Sequence, residues 1–286
     1  MGSAPVLQVT PRPGETLVGL AYSPAALEFA RSRPGVVDYL EIPFEQIRHT
    51  PEVAGLQAEL PLILHCASLS VAGFVAPQDA LVESVAREAE RLGTPWVGEH
   101  LAFLSADPLD GSSGGEPTQL TYTICPQLSE EVLDRVVRNF EALAPRLPAP
   151  LILENSPQYL SLPGSTMTMI DFIGALVDAC PVDLLLDLSH YAITAHNMGF
   201  DASARFDDLP LERVVEVHLS GHSVQSGVMW DDHAMAAPEA SFDLLERLLR
   251  RARPGAVTFE YNWGDGFPAD QIEAHVARAR TLIEAA

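Results

Sequence analysis

The chain has 286 residues, 47% of them hydrophobic, enough to bury one large core. Its net charge of −22 excludes the basic stripe by which proteins hold nucleic-acid phosphates or anionic membranes. The 17 Lys and Arg positions are all arginine, which removes Schiff-base aldolases, pyridoxal enzymes and Walker-type nucleotidases, since each needs a lysine ammonium.

The N-terminal stretch MGSAPVLQVTPRPG has neither the charged start nor the apolar centre of an export signal, and no apolar run reaches the ~18 residues of a membrane span. Three widely spaced cysteines, Cys66, Cys125 and Cys180, fit neither a disulfide framework nor a CxxC zinc site. A soluble cytoplasmic protein is expected. Strand-like LVGLAY at 17–22 precedes a helix starting near Pro24, and VVDYLEI at 36–42 precedes another over 51–59. Strands at 62–65 and 96–100 flank an amphipathic helix over 79–92. Segment 129–146 sets Val132, Val136, Phe140 and Leu143 on one helical stripe behind Ser129 and two glutamates, the pattern of a capped N-terminus.

Strands at 151–154, 184–187, 214–219 and 257–260 complete a count of eight, each followed by helical periodicity. The last helix carries Ile272, Val276, Ala279 and Ile283 at turn spacing. This alternation predicts a (β/α)8 TIM barrel, one catalytic domain over 1–286. An open doubly wound sheet would offer a Gly-rich turn after its first strand, and LAYSPAA has none. Two long connections, 107–120 after the fourth strand and 221–233 after the seventh, fall on the catalytic face.

Six apolar strands stop on a potential metal ligand: LILH at His65, WVGEH at His100, LILE at Glu154, LLLD at Asp187, VVEVH at His218 and VTFE at Glu260. In a parallel barrel the C-terminal strand ends share one mouth. Unpaired imidazoles and carboxylates gathered there would suffer desolvation and like-charge repulsion without a cation. WDDH at 230–233 adds Asp231 and His233, two residues apart, a spacing that in extended backbone turns both side chains to one side. Glu154 and Glu260 can each bridge two ions through their two oxygens. His49 and His275 read as surface residues. The nitrogen and oxygen donors, with no thiolate required, suit iron, manganese or zinc.

The ordered set HCASLS, EHLAF, LEN, DLSHYAITAHNMGFD, EVHLSGH, DDH and a final FE resembles the multinuclear non-haem iron-dependent oxidative enzymes, the group that includes the methanobactin-type oxidase. The resemblance runs from about residue 17 to about 265. It implies a xylose-isomerase-like TIM barrel holding two or three iron ions of mixed Fe(II)/Fe(III) state, with O2 as co-substrate. It further implies a precursor peptide as substrate, modified most often at cysteine, and a possible partner protein that recognises the peptide leader. Carried over, the ligands are His65, His100, Glu154, Asp187, His218, Asp231, His233 and Glu260, with Glu154, Asp187 and Asp231 as the candidate catalytic groups.

Two departures stand out. Where many members read Asp-x-Asn-Asn, this chain reads Asp187-Leu188-Ser189-His190, so His190 becomes a ninth candidate ligand in place of an amide. The final motif reads Glu260-Tyr261-Asn262 rather than Glu-Arg-Asp. The competing readings on the residues alone are a divalent-metal sugar isomerase, an endonuclease-type phosphodiesterase and a metal-holding subunit without turnover.

Overall fold

The computed structural model describes residues 7–49, 51–106, 118–261 and 269–286. Eight strands close into an all-parallel barrel in the order β1-β12-β9-β8-β7-β4-β3-β2. They are β1 (Leu17–Ala21), β2 (Tyr39–Pro43), β3 (Leu62–Cys66), β4 (Val97–His100), β7 (Leu151–Glu154), β8 (Asp183–Asp187), β9 (Val214–Leu219) and β12 (Ala256–Phe259). Two antiparallel hairpins, β5 (Phe103–Ala106) with β6 (Thr118–Ile124) and β10 (Ser223–Gln225) with β11 (Val228–Trp230), are inserted after β4 and β9. The Gly/Ser/Pro-rich connection 107–120 lies mostly outside the described residues, and β5 and β6 pair on either side of it.

The outer helices are α1 (Pro24–Ser32), α2 (Phe44–His49), α3 (Asp79–Leu92), α4 (Glu130–Leu143), α5 (Met169–Ala179), α6 (Leu188–Met198), α7 (Ala202–Arg205), α8 (Glu239–Leu249) and α9 (Ala269–Ala285). Ser129 caps α4 by accepting from the Val132 amide at 3.4 Å, with Glu130 and Glu131 in the first turn. The helix expected over 51–59 is instead the short α2 followed by a 3-10 segment, Pro51–Ala58. Pro51 cannot donate the bond that would continue α2. The second strand also starts later than expected, at Tyr39. Among the described residues no helix is long and apolar enough to cross a membrane.

Strand periodicity sorts the barrel into layers. Alternate residues face the helices and join the main apolar core. The inward set forms a second cluster at the N-terminal end, with Tyr39, Ile63, Ile152, Leu185 and Ala256 packed on Val9 and Trp96. Two residues further along the same strands stand Glu41, His65, Glu154 and Asp187. An apolar plug therefore floors the barrel and an ionisable layer sits on it.

Candidate metal centre

Register sets the neighbours in that layer. His100 lies opposite Glu154 across the β4–β7 ladder, and Asp187 opposite His218 across β8–β9. Donor atoms of all nine predicted residues fall into three groups, each within 4.8 Å: His65, His100 and Glu154; Glu154, Asp187, His218 and Glu260; and His190, Asp231 and His233. Glu154 belongs to two of them. Its Oε2 is 3.3 Å from Nε2 of both His65 and His100, and its Oε1 is 3.1 Å from His190 Nδ1 and 3.7 Å from His218 Nδ1.

Local structure explains why His190 reaches the site. Asp187 ends β8 and at once caps α6, accepting the His190 amide on Oδ1 at 2.7 Å. The first helical turn thus returns the His190 ring over the barrel, and Asp187 Oδ2 is left facing the cluster. Asn155 brackets the Asp187 peptide through both ends of its side chain, at 2.8 and 2.9 Å. The Asn155 carbonyl lies 2.9 Å from His190 Nδ1, which makes Nδ1 the donor; Nε2 lies 3.0 Å from Asp231 Oδ2, to which it donates when no ion takes its lone pair.

Asp231 and His233 converge, Nε2 to Oδ1 at 2.8 Å, but not through extended backbone as expected. His233 has φ +52°, and this left-handed residue folds the loop over the mouth. Gly221 permits the fold, since a side chain there would meet the Met235 carbonyl. His275 departs from the surface expectation as well: it is half-buried against Phe242 and accepts the Tyr261 hydroxyl at 2.6 Å. His49 is exposed as expected. Asn262, of the departing final motif, lies outside the described residues.

The electrostatics are those of buried imidazoles and carboxylates that hold one another charged. Burial opposes the charged form of His65, yet Glu41 and Glu154 outweigh it and carry its pKa to about 10. His233 rises to about 9 against burial because of Glu260 and Asp231. Burial raises Asp187 to about 6, whereas His218 and His233 overcome burial to hold Glu260 near about 2. Both oxygens of Glu154, Oδ2 of Asp187, Nδ1 of His218, Oδ1 of Asp231 and Nε2 of His233 are buried without an aligned hydrogen-bond partner among the described residues. Donor atoms that converge without aligned hydrogen bonds fit cations at their common points, and the all-N/O donor set fits iron, manganese or zinc. Two carboxylates escaped the sequence reading: Glu41 and Glu216 form a fourth group with His218. Their only signal was a Glu inside an apolar strand, in YLEIP and VVEVH.

Gly98 of β4 makes room for the centre. A Cβ there would lie 2.6 Å from His65 Nδ1 and 3.2 Å from Leu185, so Gly98→Ala should displace the imidazole. The expected outcome is loss of about one metal ion per chain with the circular dichroism of the barrel retained. Wild-type metal content in this variant would show that the ring has slack.

The fold is similar to that of a D-tagatose 3-epimerase-like protein (TM-score 0.60, 14% identity, 94% of this chain and 99% of that one). It is also similar to a xylose isomerase domain protein from Alicyclobacillus acidocaldarius (TM-score 0.59, 17% identity, 93% and 98%). At these identities the likeness concerns the barrel alone. In sequence, the chain is 30% identical over 274 residues to a UPF0276 protein of Streptomyces avermitilis, covering 94% of this chain but only 55% of that relative. A UPF0276 protein of Caulobacter vibrioides is 27% identical over 259 residues, covering 88% and 89%. Residues 17–284, from the first barrel strand to the last helix, match the family model described as "RiPP precursor modification enzyme MbnB/TglH/ChrH", and the chain belongs to that family of enzymes.

Proposed function

We propose that this barrel is a multinuclear iron- and O2-dependent oxidase that modifies a residue, cysteine by preference, of a ribosomally synthesised precursor peptide. The observation that carries this reading is the set of three donor groups, two of them joined through Glu154. Nine side chains exceed what one octahedral ion can use, and a carboxylate shared between two groups is the arrangement of a bridged centre. Precursor-peptide chemistry follows from the family, and a leader-recognising partner protein is part of the same proposal.

His65, His100 and Glu154 would hold one ion, Glu154, Asp187, His218 and Glu260 a second, and His190, Asp231 and His233 a third. Bound iron would supply electrons for reducing O2 and a Lewis acid that lowers the pKa of a substrate thiol. The protein's own part is orientation and access. His218 and Asp187 are fully buried, whereas the side chains of His100, Asp231, Glu260 and His233 are 15–26% exposed. Substrate therefore approaches over those four. Tyr159 stacks on Trp230 with ring centroids 4.9 Å apart, and its hydroxyl lies 3.4 Å from the Asp231 amide. This aromatic pair steadies the loop that carries Asp231 and forms one wall of the approach.

Protein from iron-replete cells should contain about two to three iron ions per chain and consume O2 only with a cysteine-containing peptide, one encoded beside this chain being the first to try. Elemental analysis and oxygen uptake decide it. Turnover with one divalent ion and no oxygen consumption would instead favour a sugar isomerase or a phosphodiesterase.

A further inference from the structure

We propose that Glu41 is a positioning residue that selects Nδ1 of His218 as the metal-facing nitrogen, and that Glu216 anchors Glu41 from below. The inference rests on the metal-centre reading and extends it to two side chains outside the three groups assigned to ions.

His218 is fully buried in β9, and its two nitrogens face opposite ways. Nδ1 looks up, 3.2 Å from Glu260 Oε2 and 3.7 Å from Glu154 Oε1. Nε2 looks into the barrel, 3.0 Å from Glu41 Oε2. An imidazole that gives one nitrogen to a metal carries its proton on the other, and an acceptor there fixes both tautomer and ring orientation. Glu41 is that acceptor. Glu216 Oε1, at 3.8 Å from Nε2, is too far to replace it fully.

Donor and acceptor directions settle the rest. The Trp96 indole can only donate, and does so to Glu216 Oε2 at 2.6 Å. The Thr258 hydroxyl donates to Glu216 Oε1 at 2.8 Å, so at 2.7 Å it accepts from the Tyr39 hydroxyl. Both Glu216 oxygens accept, and its carboxylate lies within 4.8 Å of a Glu41 oxygen and of the His218 ring. Glu41 thus stands between the His218 ring, from which it accepts, and the Glu216 carboxylate. Among the described residues, the ion pairs of Glu41 and Glu216 are with His218 alone, although both carboxylates are buried and desolvation is costly. No arginine neutralises them. Glu41 also favours the charged form of His65, but its 3.0 Å contact is with His218.

A glutamine at position 41 can still accept the His218 Nε2–H through its oxygen, whereas a glutamine at 216 has one oxygen to accept from both Trp96 and Thr258 and must turn its NH2 toward one of these donors. Zn(II) serves as a diamagnetic probe, with binding measured by competition against a chelator and His218 followed by 15N NMR of labelled histidine. Wild type and Glu41→Gln should bind alike, with Nδ1 metal-bound and Nε2 protonated. Glu41→Leu should weaken the ion facing Glu154, Asp187, His218 and Glu260 by about 10–100-fold and lose the single-tautomer signature. Glu216→Gln should fall below Glu41→Gln. Near-UV circular dichroism identifies any variant that has lost its packing, and Glu41→Gln against Glu216→Gln remains the deciding pair. Wild-type affinity and tautomer in Glu41→Leu, or equal behaviour of the two glutamine variants, overturns the proposal while leaving the metal centre standing. A wild-type chain that binds no ion overturns both.

Discussion

Glu154→Ala is expected to empty two metal positions at once and to lower turnover by more than about 100-fold, beyond what loss of an outer partner to a ligand costs. The reason is geometric. Oε2 sits 3.3 Å from the two imidazoles of one group, and Oε1 faces His190 and His218 of the others. No other side chain among the three groups is shared in this way. Glu154→Gln separates bridging from simple ligation: its amide oxygen can serve one ion, so it should lose about one ion where alanine loses two. The fold should survive both changes. Glu154 is held among histidines rather than in the apolar core, and without it those imidazoles shed protons instead of demanding a new partner. Elemental analysis, read beside far-UV circular dichroism, tests the claim, and wild-type metal content in Glu154→Ala would reduce this residue to a structural one.

His190→Ala should lose about one ion per chain and most activity. His190→Asn, which places at this position the amide that the family resemblance implies, should keep more of both. With Nδ1 bonded to the Asn155 carbonyl, Nε2 is the nitrogen that would ligate beside Asp231 Oδ2, and His233 completes that group. An amide oxygen can occupy the position but is a weaker donor than imidazole. The competing role is support of Asp231 through the 3.0 Å contact alone. In that case both variants retain every ion and lose activity only modestly, so side-by-side metal counts decide between ligand and support.

Several features were readable before any coordinates. A carboxylate or imidazole at the end of LILH, LILE or LLLD is an expensive exception in a buried strand, and repetition of that exception marks one barrel mouth. The helix of 129–146 was readable for a different reason, since its cap and stripe are both local. The 51–59 region is a 3-10 segment rather than the expected helix; Gly55 within it lowers helix propensity, and the hydrophobic pattern does not register that cost.

Residue order alone determined the barrel class and the nine donors that gather at its mouth, because each depends on periods of two and 3.6 residues and on which groups are costly to bury. Tertiary structure alone decided the partnerships. His100 meets Glu154 because β4 skips the β5–β6 hairpin to pair with β7, and Glu41 meets His218 across the interior between strands that are not neighbours. The left-handed His233 that closes its loop, and the cap at Asp187 that turns His190 back over the mouth, are likewise set by packing. Strand register and loop closure are cooperative properties of the closed sheet, fixed by contacts between residues far apart in the chain, and a local pattern carries no record of them.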